Sequence, residues 1–244
     1  MKGESMFRYN LVANFLTTLS LAGGFISIIF SLEAHFTFAS WALIFSVIFD
    51  GLDGQVARRN PRPSQFGKEL DSLVDVISFG VAPAILGYAF VYREFHLWAT
   101  LALFIYLFCS VFRLAKYNVT PGEELVNYFI GLPTTASAGV LVSFILIYRR
   151  YTQLPPHRMF FVLVLVLAFL MVSKVKYLNL ECVRQLATRS TKAVLVALLI
   201  VSLVLMVFYL FTSVLLPELA IFTLFAIYLL FAPFMVKLYK FEKC

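Results

Sequence analysis

The chain has 244 residues, 61% of them apolar, against about 45–50% in an ordinary soluble domain, and its mean hydropathy is +0.90. That composition excludes a water-soluble globular domain and reads as an integral, multi-pass membrane protein. The net charge of +7 then records orientation and contact with anionic membrane lipids, so no nucleic-acid partner is expected.

The hydropathy pattern predicts an all-α bundle of about eight spans, near 10–31, 37–57, 69–92, 96–117, 131–148, 158–173, 192–212 and 216–237. Runs such as FFVLVLVLAFLMVS (160–173) and AVLVALLIVSLVLMVFYLF (193–211) carry no charge, and the second is long enough to cross a bilayer alone. The first stretch holds Asn14, Thr17 and Thr18 and lacks a small-residue cleavage site, so it reads as a span and not as a removable signal. With the N-terminus in the cytoplasm, only Arg93, Arg149, Arg150 and Arg158 fall on the far side. The other lysines and arginines, from Lys2 to Lys243, lie at cytoplasmic ends. This asymmetry supports an even number of spans with both termini inside.

Thr120, Pro121 and Glu123 form a helix-start signal, which predicts a short interfacial helix within 119–133. The chain is expected to be a single membrane domain over 1–244, with a core at 10–177. A basic loop at 174–192 precedes the last pair of spans. Its spacing leaves two readings of that pair: a later addition, or the contact of a homodimer. Cys109, Cys182 and Cys244, like His35, His96 and His157, fall into no disulfide or metal-ligand spacing.

The chemistry concentrates in DGLDGQVARRNPRPSQFGKELDSLVD (50–75). Asp50, Asp53, Asp71 and Asp75 are the only aspartates in the chain. Spacings of three and four put each pair on one face of a helix, and Asn60-Pro61-Arg62-Pro63 breaks the chain between them. Two helices joined by a short cytoplasmic turn are neighbours, so both acidic faces can point into one cleft. Gly54, Ala57 and Gly67 beside them permit close approach of helices and of a flat ligand. Clustered carboxylates repel unless protonated or neutralised. All-oxygen ligation points to a hard divalent ion such as Mg²⁺, Mn²⁺ or Ca²⁺, and pairs from two helices could bridge two ions. The bland alternative, solvated charges at helix ends, does not account for the exclusive clustering. Arg59 and Arg62 read as positive-inside charge, whereas Arg58 lies one turn beyond Gly54 on the aspartate side.

The pattern Asp50-x-x-Asp53-Gly54-x-x-Ala57-Arg58, eight residues, Gly67, three residues, Asp71, three residues, Asp75 resembles the signature of the CDP-alcohol phosphotransferase family at every defined position. The resemblance implies an integral membrane enzyme that moves a phosphatidyl-type group from a CDP-linked lipid to an alcohol and releases CMP. It implies a divalent cation cofactor, Mg²⁺ or Mn²⁺, in two copies. Asp50, Asp53 and Asp71 would hold one ion; Asp50, Asp71 and Asp75 would hold the other, and Asp75 would also be the general base. Gly54, Ala57, Arg58 and Ser64, with Asn14 and Thr17 from the first span, would bind the CDP-lipid.

Further stretches, SFGVAPA (78–84), FRLAKYN (112–118), YFIGLPTTASAG (128–139) and LMVS with KVKY (170–177), resemble the branch of the family that joins CDP-diacylglycerol, or its archaeal ether analogue, to L-serine. Arg113, Lys116 and Asn118 are then candidates for the acceptor's carboxylate or for phosphate, with positive-inside charge as the alternative. Thr134, Thr135 and Ser137 read as helix-packing contacts. A sister enzyme with glycerol phosphate or inositol phosphate as acceptor is the nearest competing reading. An ion or proton transporter is the competitor from another class, but no Asp or Glu lies mid-span to form a relay.

Overall fold

The computed structural model describes residues 2–58, 64–119, 128–151, 157–178 and 217–238. They form α1 (Lys2–Leu32), α2 (Phe36–Arg58), α3 (Gln65–Asp75), a π-helical segment (Val76–Val81), α4 (Ala82–Val119), β1 (Tyr128–Ile130), α5 (Thr134–Tyr151), α6 (His157–Val172), β2 (Lys176–Leu178) and α7 (Pro217–Leu238).

Four stretches are long and apolar enough to cross a membrane: Tyr9–Leu32, Phe36–Ala57, Gln65–Val91 and His96–Val119. They coincide with the first four expected spans. Helices α5, α6 and α7 fall where the fifth, sixth and eighth spans were expected, whereas 192–212 lies outside the described residues. Large apolar side chains, among them Phe25, Phe45, Trp98, Phe104 and Phe169, are exposed along these helices, as lipid-facing surfaces require.

Helical assignment runs unbroken through α4, whose 38 residues would extend about 57 Å if straight. The contacts show instead that the chain doubles back near 92–95. A Cβ on Gly87 would meet Leu103, and one on Gly80 would meet Leu107 and Ser110. Asn118 Nδ2 donates to Ser72 Oγ at 2.8 Å. The halves of α4 are therefore antiparallel, which brings its C-terminal end beside α3.

Helix α1 ends on a left-handed Ala34 (φ 60°), and the His35 amide donates to the Phe30 carbonyl at 2.8 Å. This closing turn satisfies the last carbonyls and reverses the chain into α2. The two helices then pack at short range because Gly23 lies against the Ala42 carbonyl and Ser46. One serine knot reinforces them. Ser46 Oγ donates to the Ser20 carbonyl at 2.8 Å, and Ser78 Oγ, from the π-helical segment, donates to the same carbonyl at 3.2 Å. Tyr106 donates to the Phe79 carbonyl at 3.2 Å, within that segment. The apolar core centres on α5, where Leu141, Val142 and Ile145 are almost wholly buried alongside Phe160, Val164 and Leu167 of α6.

The helix start expected from Thr120, Pro121 and Glu123, within 119–133, lies outside the described residues, as do all of 120–127. Residues 128–130 form a strand, antiparallel to β2, with Phe129 opposite Tyr177. Among the described residues the fold is thus mostly helical, as expected, with one small two-stranded ribbon. Gly131 (φ +81°) makes the turn out of β1, where a Cβ would collide with the Met171 carbonyl.

Gly24 tests the α1 spine, because its added Cβ would lie 2.6 Å from Ser78 Oγ and 2.9 Å from Ser78 Cα, which is backbone. Gly24→Ala should lose about 1–3 kcal/mol of stability, read as a lower melting temperature in detergent. Gly51→Ala, whose Cβ meets nothing within 4 Å, should be neutral or stabilising.

Candidate active site

Asp50 and Asp53 sit on the last turns of α2, and Asp71 and Asp75 on α3. One carboxylate oxygen from each of Asp50, Asp53 and Asp71 lies within 4.8 Å of the other two. The Asp75 carboxyl is within hydrogen-bonding reach of Asp50 and feels the charges of Asp71 and Asp53. The structure therefore brings all four together, with Asp50 common to both halves of the cluster.

Asp53 is 4% exposed, and its Oδ2 is buried without a hydrogen-bond partner among the described residues; Asp75 Oδ1 is in the same condition. Buried carboxylate oxygens without donors are costly, and more so in a group of like charges. An oxygen-only donor set with two orphaned oxygens fits a hard divalent cation, which would satisfy both and cancel the repulsion. Thr17, buried on α1, interacts with Asp53 and donates to the Ala13 carbonyl at 3.0 Å. The α1 residue thus flanks the cluster.

The candidate nucleotide residues gather at the start of α3. Ser64 is its N-cap and accepts from the Gly67 amide at 2.9 Å. A Cβ on Gly67 would meet Ser64 Oγ at 2.9 Å and Asn14 Oδ1 at 3.0 Å, so the glycine leaves a notch lined by both. Gly54 and Ala57 are half-buried on α2. The side chain of Arg58 lies outside the described residues, as do Arg59 and Arg62.

Arg113 and Lys116 share a narrow pocket with Tyr117 of α4, Ile130 of β1 and Ser173 beyond α6. Arg113 faces the charge of Asp75, and its Nε is buried with no hydrogen-bond partner among the described residues. Asn118 does not line this pocket; it clips α4 to Ser72 of α3. Thr134 and Ser137 are buried at 1% and 0%, in keeping with helix packing. The serine knot of Ser20, Ser46 and Ser78 was missed in the sequence. Its one signal is position: Ser46 lies a turn before Asp50, and Ser78 three residues after Asp75.

The family described as CDP-alcohol phosphatidyltransferase matches residues 10–228. The chain belongs to that family. Among its relatives, the CDP-diacylglycerol–serine O-phosphatidyltransferase of Helicobacter pylori is 35% identical over 71% of this chain and 74% of that protein. The protein of the same name from Methanocaldococcus jannaschii is 36% identical over 68% of this chain and 73% of its own length. The archaetidylserine synthase of Methanothermobacter thermautotrophicus is 34% identical over 72% and 73%. In this CDP-alcohol phosphatidyltransferase, the aspartate cluster is the group of described residues suited to hold a divalent metal.

Asp50→Asn should weaken Mn²⁺ binding and turnover together, because Asp50 faces both Asp53–Asp71 and Asp75. Changes outside the ligand shell typically cost about 10–100-fold, so loss of this carboxylate should exceed that range. Titration of Mn²⁺ followed by electron paramagnetic resonance, beside CMP release, checks it; near-normal binding would remove Asp50 from the ligand set.

Proposed function

We propose that the chain transfers a phosphatidyl group from CDP-diacylglycerol to the hydroxyl of L-serine, giving phosphatidylserine and CMP. The observation that carries this reading is the four-aspartate cluster with two orphaned buried oxygens, set beside the pocket of Arg113 and Lys116. The names of the three relatives support serine as acceptor.

Asp50, Asp53 and Asp71 would hold one divalent cation, and Asp50, Asp71 and Asp75 would hold a second, each Mg²⁺ or Mn²⁺. When bound, such cations neutralise the pyrophosphate and make its phosphorus more open to attack. The chain's own groups do the rest. The notch between Asn14, Ser64 and Gly67 receives the nucleotide, with Gly54, Ala57 and Arg58 on the facing helix. Thr17 flanks Asp53 and limits its movement. Arg113 and Lys116 hold the serine carboxylate, a match of guanidinium fork to planar oxyanion. Asp75 takes the proton from the serine hydroxyl as its oxygen bonds to phosphorus and the bond to CMP breaks. Asn118 supports the site by joining α4 to α3.

The charge asymmetry of the loops supports an even number of spans, both termini in the cytoplasm and a site at the cytoplasmic face. The donor's CDP head group is polar and charged there, while its diacylglycerol chains remain in the bilayer. The archaetidylserine synthase relative, at similar identity, favours one alternative for the donor, an ether lipid.

Purified protein given CDP-diacylglycerol should release CMP with L-serine and not with glycerol 3-phosphate or inositol phosphate; lipid product from either phosphate instead of serine would overturn the acceptor. Asp75→Asn should lower kcat by at least about a hundredfold, the scale of general-base loss, while CDP-lipid binding persists. Loss of binding along with turnover would make Asp75 a ligand alone, and retained turnover would place the base elsewhere.

A further inference from the structure

Next to the pocket of Arg113 and Lys116, the second half of α4 and helix α6 enclose an apolar groove of about 440 Å³. Phe108, Cys109 and Phe112 face it from α4; Leu165, Ala168 and Phe169 face it from α6, each set at helical spacing. The rings of Phe108 and Phe112 stack with centroids 6.1 Å apart and planes at 22°, and make one wall. Phe169, 72% exposed, makes the other, and Ala168, 1% exposed, is the floor. From Ile105 to Phe112 the groove runs about 10 Å along the helix. Phe112 and Val172, the last members of the two stripes, also line the Arg113 pocket, so groove and pocket are continuous. The pocket itself holds only about 30 Å³, room for about two water-sized groups.

We propose that a long-chain fatty acid binds here, its carboxylate in the pocket of Arg113 and Lys116 and its alkyl chain in the groove. The chemistry on the two sides is complementary: a small basic chamber opens directly into a groove lined by apolar side chains alone. Arg113 Nε, buried with no hydrogen-bond partner among the described residues, offers a carboxylate a charged donor. A phospholipid fits less well. Its phosphate carries two substituents into a chamber of about two water volumes, and it brings two chains to one groove. Hydrocarbon gains little by exchanging one apolar neighbour in a bilayer for another, so the chain sets the orientation and the charged head selects. The same two cations are read above as ligands of the serine carboxylate, so a bound fatty acid excludes the acceptor. That regulatory consequence rests on the acceptor reading; the binding site does not.

The test uses the full chain in phosphatidylcholine nanodiscs and stearate carrying a nitroxide on its chain. Electron paramagnetic resonance should show an immobilised component that unlabelled stearate displaces. 1-Octadecanol, which keeps the chain and lacks the charge, should displace it at least about tenfold less well, the scale of losing a hydrogen bond to a charged group. Ala168→Leu fills the floor, and Phe169→Ala removes a wall at an exposed position and so spares folding. Each should remove most of the immobilised component, and neither should change the serine KM when no fatty acid is present. In steady-state kinetics, stearate should raise the wild-type serine KM in proportion to its concentration, with kcat and the CDP-diacylglycerol KM unchanged. Absence of the component, its retention in both variants, or equal displacement by octadecanol overturns the site. Displacement by phosphatidic acid as readily as by stearate makes the occupant a phospholipid and overturns it too. An immobilised, displaceable stearate beside an unchanged serine KM leaves the site standing and overturns the acceptor reading of Arg113 and Lys116.

Discussion

Repulsion among carboxylates is the constraint on which this fold turns. At an effective dielectric of about 20, two charges near 4 Å repel by roughly 4 kcal/mol, and three carboxylate oxygens here come within 4.8 Å. What opposes the repulsion is packing on a third element. Both aspartate-bearing segments are pinned to α1 through the single carbonyl of Ser20, by Ser46 on one side and Ser78 on the other. Gly23 and Gly24 let the backbones come close enough for those bonds to form. Thr17, one turn from Ser20, then reaches Asp53 itself. Helix α1 is therefore a spine for the site, although it contributes no carboxylate.

The π-helical segment after Asp75 belongs to the same solution. An i→i+5 turn inserts extra backbone and shifts the face that follows. The aspartate face of α3 looks toward α2, while Ser78, Phe79 and Gly80 are wholly buried against α1 and the returning half of α4. Regular helix would carry one register through both. Tyr106 supports the irregular stretch by donating to a carbonyl inside it.

How much of this was legible in the sequence depends on the range of the interaction responsible. The aspartates were readable because helical spacing is local and their clustering is exclusive. The first four spans were readable because lipid exposure writes itself into hydropathy. The notch at Gly67 was half readable: the motif marks the glycine, but only the fold brings Asn14, more than fifty residues earlier, to its edge. The β1–β2 ribbon was not readable, since three-residue strands carry too few positions to show a period, and a helix-start signal stood upstream. Asn118 was read by its charged neighbours in FRLAKYN, yet its amide turns to Ser72, a partner that only the reversal within α4 could supply.

Helix α7 shows the same limit from the other direction. Its composition says membrane and nothing more, so spacing alone left it as an addition or a dimer contact. Its inward anchors are invisible locally: a charge pair to a helix far back in the chain, a ring over Gly139, a phenol stacked on a strand residue. A bilayer supplies no hydrophobic drive for one apolar helix to choose another, so shape and polar contacts decide the partner. Helix α7 has both, spread from Glu218 to Tyr228. Its docking is specific along that whole length.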